Sequence, residues 1–209
     1  MKLYDYYRST ACYRVRIALN LKNVNYEKLS IHLTNNGGEQ YQTEYLNLNP
    51  QGLVPTLDEN GHLLTQSLAI IEYLDEINPN PTLLPTTPLG RAHVRSLAMI
   101  IACDTHPLNN LRVLNQLKHQ FSANEEQTHA WYHHWLELCF SALETRLQQQ
   151  NKGSFCYGNT VTLADICLIP QIYNAQRFNF SMENYPIINS INKHCLDIDA
   201  FKDASPEMQ

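Results

Sequence analysis

The sequence predicts an α/β domain over residues 1–80 and an all-α domain over residues 89–209, joined by a linker over residues 81–88. Three observations support this division. The first part of the chain alternates between strand-like and helix-like patterns, which is typical of an α/β layer. Four prolines then stand between positions 78 and 88, where no helix can continue. Beyond them, apolar residues repeat at helical spacing over long stretches.

The opening stretch predicts a strand that leads directly into a helix. An apolar and aromatic run covers residues 2–7, and Val15, Ala18 and Leu19 follow at helical spacing. Ser9 and Thr10 stand where the strand ends and the helix begins. A serine there is an ordinary helix cap. It can also donate a hydrogen bond to a thiolate, an anion that the unpaired amides and the dipole of a helix start favour.

The remainder of the first domain continues the alternation. We expect a strand over residues 25–33, a loop at 35–38, a short helix over 40–48, and a hairpin that turns at Asn60 and Gly61. A capped helix over residues 66–74 closes the domain. This order of elements is typical of thioredoxin-like domains. Pro55 requires an edge position, a bulge or a cis bond, and a cis bond would leave the Val54 backbone free to pair with a peptide-like ligand.

Long helices fill the second half of the sequence. One is predicted from Arg91 to about Lys118, and a second from Asn124 to Gln150. A capping box at residues 162–165 begins a third helix, which runs to about Arg177. The last long helix begins at residue 186, a proline.

The composition excludes several classes of function. Hydrophobic residues make up 44% of the chain and charged residues 17%, with a net charge of −5, which leaves no general basic surface for nucleic acid or anionic lipid. The start has no signal-peptide pattern and no apolar run is long enough to span a membrane. We therefore expect a cytoplasmic protein without nucleic-acid or membrane partners.

The six cysteines are scattered and form no C-x-x-C pair, which predicts reduced thiols and no disulfide framework. Cys103, Cys139 and Cys167 lie in apolar helical contexts, and we interpret them as core residues. His133 and His134 are adjacent, so they point apart on a helix and cannot share a metal. No metal site is predicted.

The opening motif identifies a family resemblance. Residues 9–19 resemble the signature S-S-C-x-(W/H/Y)-R-V-R-I-A-L of the zeta-class glutathione transferases, the group that includes maleylacetoacetate isomerase and maleylpyruvate isomerase. The likeness continues through residues 49–50, 54–57, 66–74, 107–111, the capping box and 174–178. It implies the glutathione transferase fold, glutathione as cofactor and a homodimer.

The resemblance also assigns roles to residues of the first domain. Ser9 matches the hydroxyl that holds the glutathione thiolate, and Thr10 stands at the position of the second serine. Ala11 replaces the cysteine of some members, and we assign the neighbouring Cys12 to helix packing. The implied glutathione contacts in this domain are Gln40, Val54, Gln66 and Ser67.

In the second domain, four residues match positions that line the site of the family: His106, Asn110, Leu111 and Arg112. His106 and Asn110 are assigned to glutathione, and Leu111 and Arg112 to substrate. His106 precedes a proline and can equally be a packed residue at a helix kink.

The implied substrate is a small dicarboxylate with a cis double bond conjugated to carbonyls. A thiolate that adds to this bond makes it single for a moment, so that it can rotate. Arginine forks bind carboxylates well, and the candidates are Arg8, Arg112 and Arg177, which are otherwise ordinary surface arginines. Arg177 has the closest family counterpart and joins Ser9 and Thr10 as a candidate catalytic residue. We assign Arg14 and Arg16 to the helix surface or to interdomain contacts.

Several functions remain compatible with this pattern. Maleylacetoacetate isomerisation, in tyrosine and phenylalanine breakdown, is favoured by the broader role of that enzyme in metabolism. Arg112 together with His106 and Asn110 favours maleylpyruvate instead. A glutathione transferase or dehalogenase acting on small α-halo acids needs the same thiolate, and a non-catalytic glutathione-binding protein would use Ser9 only as an anchor.

Overall fold

The structure is a computed structural model that describes residues 1–150 and 153–209. These residues form two compact units. The first unit contains Met1–Leu83 together with Asp197–Gln209, and the second contains Leu84–Leu196. The division between Leu83 and Leu84 lies among the four prolines, inside the range expected for the linker. The assignment of residues 197–209 differs from the sequence analysis, which placed them in the helical domain.

A mixed four-stranded sheet forms the centre of the first unit. Its strands are β1 (Lys2–Asp5), β2 (Glu27–Ser30), β3 (Thr56–Glu59) and β4 (His62–Thr65), in the order β2-β1-β3-β4. β1 and β2 are parallel, and the other neighbours are antiparallel. The predicted thioredoxin-like order is confirmed. β2 is shorter than the expected strand over 25–33, because it lies at the sheet edge with mostly exposed residues.

The turn between β3 and β4 has the geometry that its sequence predicts. Asn60 and Gly61 both have positive φ, 53° and 88°, as a tight two-residue hairpin turn requires. The Gly61 amide donates to Asp58 Oδ1 at 2.7 Å, which holds the turn closed. The hairpin is therefore confirmed.

The helices of the first unit are α1 (Thr10–Leu21), α2 (Thr43–Leu46), α3 (Ser67–Ile77) and α9 (Asp199–Lys202). α1 and α3 pack on each other, and α1 is buried throughout residues 12–19. Arg14 and Arg16 lie within this buried stretch at 1% and 0% exposure. The expectation that they lie on the helix surface is wrong. Ser67 accepts a hydrogen bond from Arg14 and Asp5 accepts one from Arg16, and these partners allow both arginines to be buried.

The C-terminal segment joins the first unit because it packs on α1. Phe201 and Ala204 are buried. The Phe201 carbonyl accepts from the Tyr13 hydroxyl at 3.1 Å, and the Ala200 carbonyl accepts from Asn20 Nδ2 at 3.1 Å. These contacts reach from Tyr13 to Asn20, most of the length of α1, and a local sequence pattern does not reveal them.

The second unit contains α4 (Pro88–Met99), a π-helical turn at Ile100–Thr105, α5 (Leu111–Phe121), α6 (Glu125–Gln150), α7 (Leu163–Arg177) and α8 (Pro186–Leu196). α7 packs on both α4 and α8, and α6 packs on α8. The starts of α6, α7 and α8 agree with the sequence analysis. None of the helices in the described residues is both long enough and apolar enough to cross a membrane.

The expectation of one helix from Arg91 to Lys118 is wrong. The chain leaves α4 through the π-helical turn, and α5 begins only at Leu111. Pro107 has no amide to donate to the preceding turn. Asn110 then caps a new helix, because its Oδ1 accepts from the Arg112 amide at 3.1 Å.

The cysteines are all free thiols. Cys139 and Cys167 are buried, as expected. The core assignment of Cys103 is wrong, because the π-helical turn places this residue at the surface.

Candidate functional site

The strand register brings four candidate segments to one edge of the sheet. Asp5 pairs with Ser30, Tyr4 pairs with Thr56, and Thr56 pairs with Thr65. β1, β2 and β4 therefore end at the edge where β3 begins. The candidate residues of the first unit lie in the segments that meet there: Ser9, Thr10, Gln40, Val54, Gln66 and Ser67.

Ser9 is the cap of α1, and its hydroxyl keeps a hydrogen to donate. Its Oγ accepts from the Cys12 amide at 3.2 Å. Because a hydroxyl has one donor and two acceptor positions, this bond fixes the oxygen and leaves the O–H available. The side chain is half-buried, and the first turn of α1 contains no acidic residue. The cap and the donor interpretations of Ser9 are therefore compatible.

The first amides of α1 are open to a ligand. Within residues 1–150 and 153–209, the amides of Thr10 and Ala11 donate to no acceptor. They add the positive end of the helix dipole to the Ser9 hydroxyl. The Thr10 side chain is buried, so the backbone amide is its clearest polar contribution at this edge.

Cys12 is a packed residue, as the sequence analysis assigned it. It is fully buried, and its Sγ accepts from the Tyr6 amide at 3.5 Å. Burial, aided by the nearby Asp5 carboxylate, raises the pKa of the Cys12 thiol far above its usual value. A thiol held protonated in this way cannot act as a nucleophile near neutral pH.

The backbone of Val54 is presented by a fixed loop. The bond between Val54 and Pro55 is cis. Two side chains donate to the Leu53 carbonyl: the Tyr45 hydroxyl at 2.6 Å and Asn49 Nδ2 at 2.7 Å. Among the described residues, neither the amide nor the carbonyl of Val54 has a hydrogen-bond partner. Both groups are available to a peptide-like ligand.

Sequence reasoning missed the role of Tyr45 in this loop. The Tyr45 hydroxyl also bonds Thr56 Oγ1 at 2.9 Å, so it joins the loop to β3. Burial raises the pKa of Tyr45 to about 12, which keeps the hydroxyl protonated and able to donate. No motif marks this tyrosine in the sequence. The family resemblance pointed to this loop at residues 49–50 and 54–57, but not to Tyr45.

The start of α3 forms a second polar point at the same edge. Gln66 has a positive φ of 69°, which is uncommon outside glycine, and its Nε2 donates to Gln51 Oε1 at 2.8 Å. Ser67 is buried, and its Oγ accepts from Arg14 Nη1 at 3.4 Å. Arg14 thus brings a buried positive charge to the first turn of α3. That combination suits a carboxylate.

Gln40 is almost fully enclosed, at 4% exposure. Its Nε2 donates to the Leu33 carbonyl at 3.3 Å, while its Oε1 has no donor among the described residues. A buried acceptor of this kind has the capacity to accept from a ligand donor that reaches it. Arg8 is exposed, with its guanidinium 5.0 Å from the Tyr7 ring centre.

The candidates of the second unit lie at the break between α4 and α5. The His106 amide donates to the Ile101 carbonyl at 2.9 Å, which continues the π-helical turn. Asn110 caps α5, and Leu111 and Arg112 are exposed in its first turn. These four residues therefore form one contiguous segment.

Arg177, in the last turn of α7, is connected to the same part of the second unit. It donates to Asn174 Oδ1 at 3.1 Å, and Asn174 Nδ2 donates to the Tyr132 hydroxyl at 2.7 Å. The Tyr132 carbonyl in turn accepts from Asn109 Nδ2 at 3.1 Å. Trp131 Nε1 donates to the Leu108 carbonyl at 2.9 Å. Residues of α6 therefore bind both the 106–112 segment and Asn174, the residue that accepts from Arg177.

Known proteins match this chain along its whole length. Residues 3–82 match the family model described as glutathione S-transferase, N-terminal domain, and residues 112–200 match glutathione S-transferase, C-terminal domain. A probable maleylacetoacetate isomerase of Vibrio cholerae is 46% identical over 207 residues, which cover 99% of this chain and 96% of the relative.

Solved structures agree with the sequence relatives. A bacterial maleylpyruvate isomerase of the zeta class, solved in its holo form, superposes with a TM-score of 0.97 at 45% identity, covering 100% of this chain and 98% of the other. A maleylacetoacetate isomerase of Methylobacterium extorquens with bound malonate and glutathione gives 0.96 at 39% identity, with the same coverage. The motif at the start of α1, the fold and these matches agree, and the chain belongs to the zeta class of the glutathione transferases.

Proposed function

We propose that this chain is a glutathione-dependent cis–trans isomerase that converts maleylacetoacetate to fumarylacetoacetate. The observation that carries the proposal is the start of α1. There a fixed Ser9 hydroxyl and the amides of Thr10 and Ala11 offer three donors to an anion. A thiolate is an anion that this arrangement suits. It must come from a ligand, because Cys12, the cysteine of α1, is buried and stays protonated.

The residues at the open edge fit the parts of glutathione. The unpaired backbone of Val54 suits its cysteinyl peptide groups. The start of α3, with Ser67 and the Arg14 charge, suits the γ-glutamyl carboxylate. The lone Oε1 of Gln40 suits an amide or ammonium donor of the tripeptide. Gln66 contributes through the left-handed backbone that starts α3.

When bound, glutathione would supply a thiolate that adds to the conjugated double bond, so that this bond can rotate as a single bond before the thiolate leaves and the double bond re-forms as trans. The chain's part is to keep the sulfur ionised and in place. A free thiol has a pKa of about 8.5, so at neutral pH only a few per cent is ionised. The Ser9 hydroxyl and the Thr10 and Ala11 amides hydrogen-bond the charged form and so increase that fraction.

The carboxylates of the substrate are assigned to arginines. Arg177 is the principal candidate, because Asn174 holds its guanidinium at one nitrogen and leaves the others exposed. Arg8 and Arg112 are exposed as well and form no ion pair among the described residues. Leu111 contributes apolar contact, and His106 lies in the same segment. Malonate, a dicarboxylate, occupies the relative from Methylobacterium extorquens together with glutathione.

Maleylpyruvate is the second candidate substrate. Isomerases for both substrates superpose on this chain almost equally well, with TM-scores of 0.97 for the maleylpyruvate isomerase and 0.96 for the maleylacetoacetate isomerase. Arg112, His106 and Asn110 lie on one contiguous segment that can bind the shorter acid. Parallel rate measurements with both substrates decide between them, and the ratio of the two kcat/KM values assigns the reaction.

The activity is tested with the protein, maleylacetone and a catalytic amount of glutathione. We expect the cis absorbance to disappear over many turnovers while total glutathione stays constant. Stoichiometric loss of glutathione would instead indicate a transferase or, with α-halo acids, a dehalogenase. Absence of any reaction with both maleyl substrates would reduce the chain to a glutathione-binding protein.

The assignment of Arg177 is tested separately by Arg177→Ala. We expect KM for the dicarboxylate to rise by about 10-fold to 100-fold, since hydrogen bonds to a charged group contribute about 1.5–3 kcal/mol. KM for glutathione should stay the same. Gln176→Ala, at the exposed neighbouring position, is the matched control. An equal effect of Arg177→Ala on a neutral electrophile would show that Arg177 binds no substrate carboxylate.

We further propose a cytoplasmic homodimer that acts in tyrosine and phenylalanine breakdown. Six free thiols support a reducing compartment. Exposed apolar side chains, among them Leu63, Ile77 and Leu89, are compatible with a partner surface. Sedimentation velocity over a range of concentrations tests the dimer, and a monomer at all concentrations would contradict it.

A further inference from the structure

Arg16 connects three separate segments of the first unit. Its side chain is fully buried. Nη1 donates to Asp5 Oδ1 at 2.7 Å, Nη2 to the Tyr7 carbonyl at 2.9 Å, and Nε to the Ala204 carbonyl at 2.9 Å. These acceptors belong to the end of β1, the turn before Ser9 and the C-terminal segment.

The guanidinium sets the relative positions of these acceptors. Its donors diverge in one rigid plane, so each acceptor must lie where a nitrogen points. A buried charge is costly unless it is paired and hydrogen-bonded, and Arg16 meets that condition through Asp5 together with the two carbonyls. A lysine has a single nitrogen on a flexible stem. It could keep the ion pair with Asp5, but it could not hold both carbonyls in the same geometry.

The turn that Arg16 holds leads directly to Ser9. The Ser9 amide donates to the Tyr6 carbonyl at 2.9 Å, and the Tyr6 amide donates to Cys12 Sγ at 3.5 Å. The turn is thus bound to α1 on one side and, through Arg16, to β1 and the C-terminal segment on the other. A shift of the Tyr7 carbonyl moves the next residues of the turn and with them the Ser9 hydroxyl.

We propose that Arg16 is a positioning residue for the Ser9 hydroxyl, and that the C-terminal segment completes this support through the Ala204 carbonyl. The inference rests on the proposed function, in which Ser9 holds the glutathione thiol. It assigns part of the glutathione site to residues far apart in the chain, since Arg16 and Ala204 are 188 positions apart. Arg16 itself is fully buried and acts through the turn.

Asn20, on the same helix, provides the matched control. Its Nδ2 donates to the Ala200 carbonyl at 3.1 Å, so it also holds the C-terminal segment on α1. Among the described residues its side chain makes no hydrogen bond to the turn before Ser9. A general loosening of this segment would affect Asn20→Ala and Arg16→Lys alike. The proposed positioning of Ser9 instead requires the Arg16 guanidinium, which Asn20→Ala leaves in place with its bonds to Asp5, the Tyr7 carbonyl and the Ala204 carbonyl.

The test measures the pKa of the thiol in bound glutathione from the ultraviolet absorbance of the thiolate. Binding of S-methylglutathione, which has no thiol, reports on the rest of the tripeptide site. For Arg16→Lys we expect the thiol pKa to rise by about one unit, a tenfold change in the ionisation equilibrium. The dissociation constant for S-methylglutathione should change less than about twofold, well below that tenfold effect. Asn20→Ala should leave both quantities at the wild-type values.

Asp5→Asn combined with Arg16→Gln is the second variant, used where Arg16→Lys folds poorly. It removes both buried charges together, which avoids leaving one of them unpaired. A wild-type thiol pKa in either folded variant would overturn the inference, and so would an equal rise in Asn20→Ala. Ser9→Ala distinguishes the proposed role of Ser9 from the proposed role of Arg16. If it leaves the thiol pKa unchanged, the proposed role of Ser9 fails, and if it alone raises the pKa, only the role of Arg16 fails.

Discussion

The starts of α1 and α7 both have a hydroxyl residue at the cap position but very different surroundings. Ser9 precedes α1 and is half-buried, with its hydroxyl hydrogen and two amides free of partners among the described residues. Thr162 precedes α7 and is buried with Asp165. Asp165 accepts from the Thr162 amide at 2.8 Å and from the Thr162 hydroxyl at 2.9 Å. The chain therefore supplies a carboxylate of its own at the start of α7.

The difference lies in where the anion comes from. At α7 the chain supplies its own carboxylate, which also accepts from the Cys156 amide at 2.7 Å. Burial raises the pKa of Asp165, while the Cys156 and Thr162 amides lower it. At α1 the first turn contains no acid, so the positive end of the helix can accept an external anion. A hydroxyl cap becomes a binding site only when the helix leaves its anion position open.

The largest expected effect is that of Ser9→Ala, which tests the open cap. We expect kcat/KM to fall by about 10²-fold to 10³-fold, as for other single donors that stabilise a developing or bound anion. Stability should fall by only about 1 kcal/mol, the usual contribution of a cap. Thr87→Ala is the matched control, because Thr87 Oγ1 caps α4 by accepting from the Gly90 amide at 3.1 Å. Equal activity losses in the two variants would remove the distinction between a cap and a site.

Asp165→Ala tests the closed cap and should affect stability instead of chemistry. The substitution leaves two buried amides and one hydroxyl without their acceptor. We expect the free energy of unfolding to fall by about 3 kcal/mol, at roughly 1 kcal/mol or more for each lost bond. Urea unfolding measures the loss. Activity per folded molecule should remain at the wild-type value, and a specific loss of activity would contradict the contrast between the two helix starts.

The pH dependence of stability sharpens the comparison, because a buried thiol lies beside each helix start. Burial raises the pKa of Cys12 and of Cys156 well above the usual value for a thiol. Below about pH 8.5 both the folded and the unfolded chain keep these protons. Above it only the unfolded chain ionises, so the free energy of unfolding falls as pH rises, by up to about 1.4 kcal/mol per pH unit for each thiol.

The slope identifies the thiol responsible. Cys12→Ala removes one buried thiol, so its free energy of unfolding should decrease less steeply than that of the wild type between pH 9 and pH 10, by up to about 1.4 kcal/mol per pH unit. An unchanged slope would show that Cys12 does not contribute. The absolute stability of the variant is not decisive, because the substitution also leaves a small cavity.

The smallest effect is expected for Ser67→Ala at the start of α3, which is intermediate between the two caps. Its hydroxyl already accepts from Arg14, yet the first turn contains no acid. We expect KM for glutathione to rise about fivefold, the equivalent of one hydrogen bond of about 1 kcal/mol. Thr43→Ala, at the first residue of α2, is the control and should leave KM unchanged. An unchanged KM in Ser67→Ala would show that the Ser67 hydroxyl does not bind the γ-glutamyl carboxylate, and the start of α3 would then act only through its backbone amides and Arg14.

Features whose cause is local in the chain were predictable. The Asn60-Gly61 turn, the capping box at Thr162 and the spacing of the first strand and helix depend on neighbouring residues, and each was found where expected. Ser9 and Ser67 could be identified as candidates because the motif of α1 and the start of α3 are short and continuous. The division of Arg91–Lys118 into α4 and α5 was missed, because the π-helical turn interrupts a periodicity that otherwise continues.

By itself, the sequence determined the order of elements in the first 80 residues, the cap at Ser9 and the family, because these depend on short-range spacing and on a continuous motif. The tertiary structure alone decided that Arg14 and Arg16 are buried and which groups they bind. The physical reason is the cost of a buried charge. That cost is offset only when partners as distant as Asp5 and Ala204 arrive at the same place, and no local pattern contains that information.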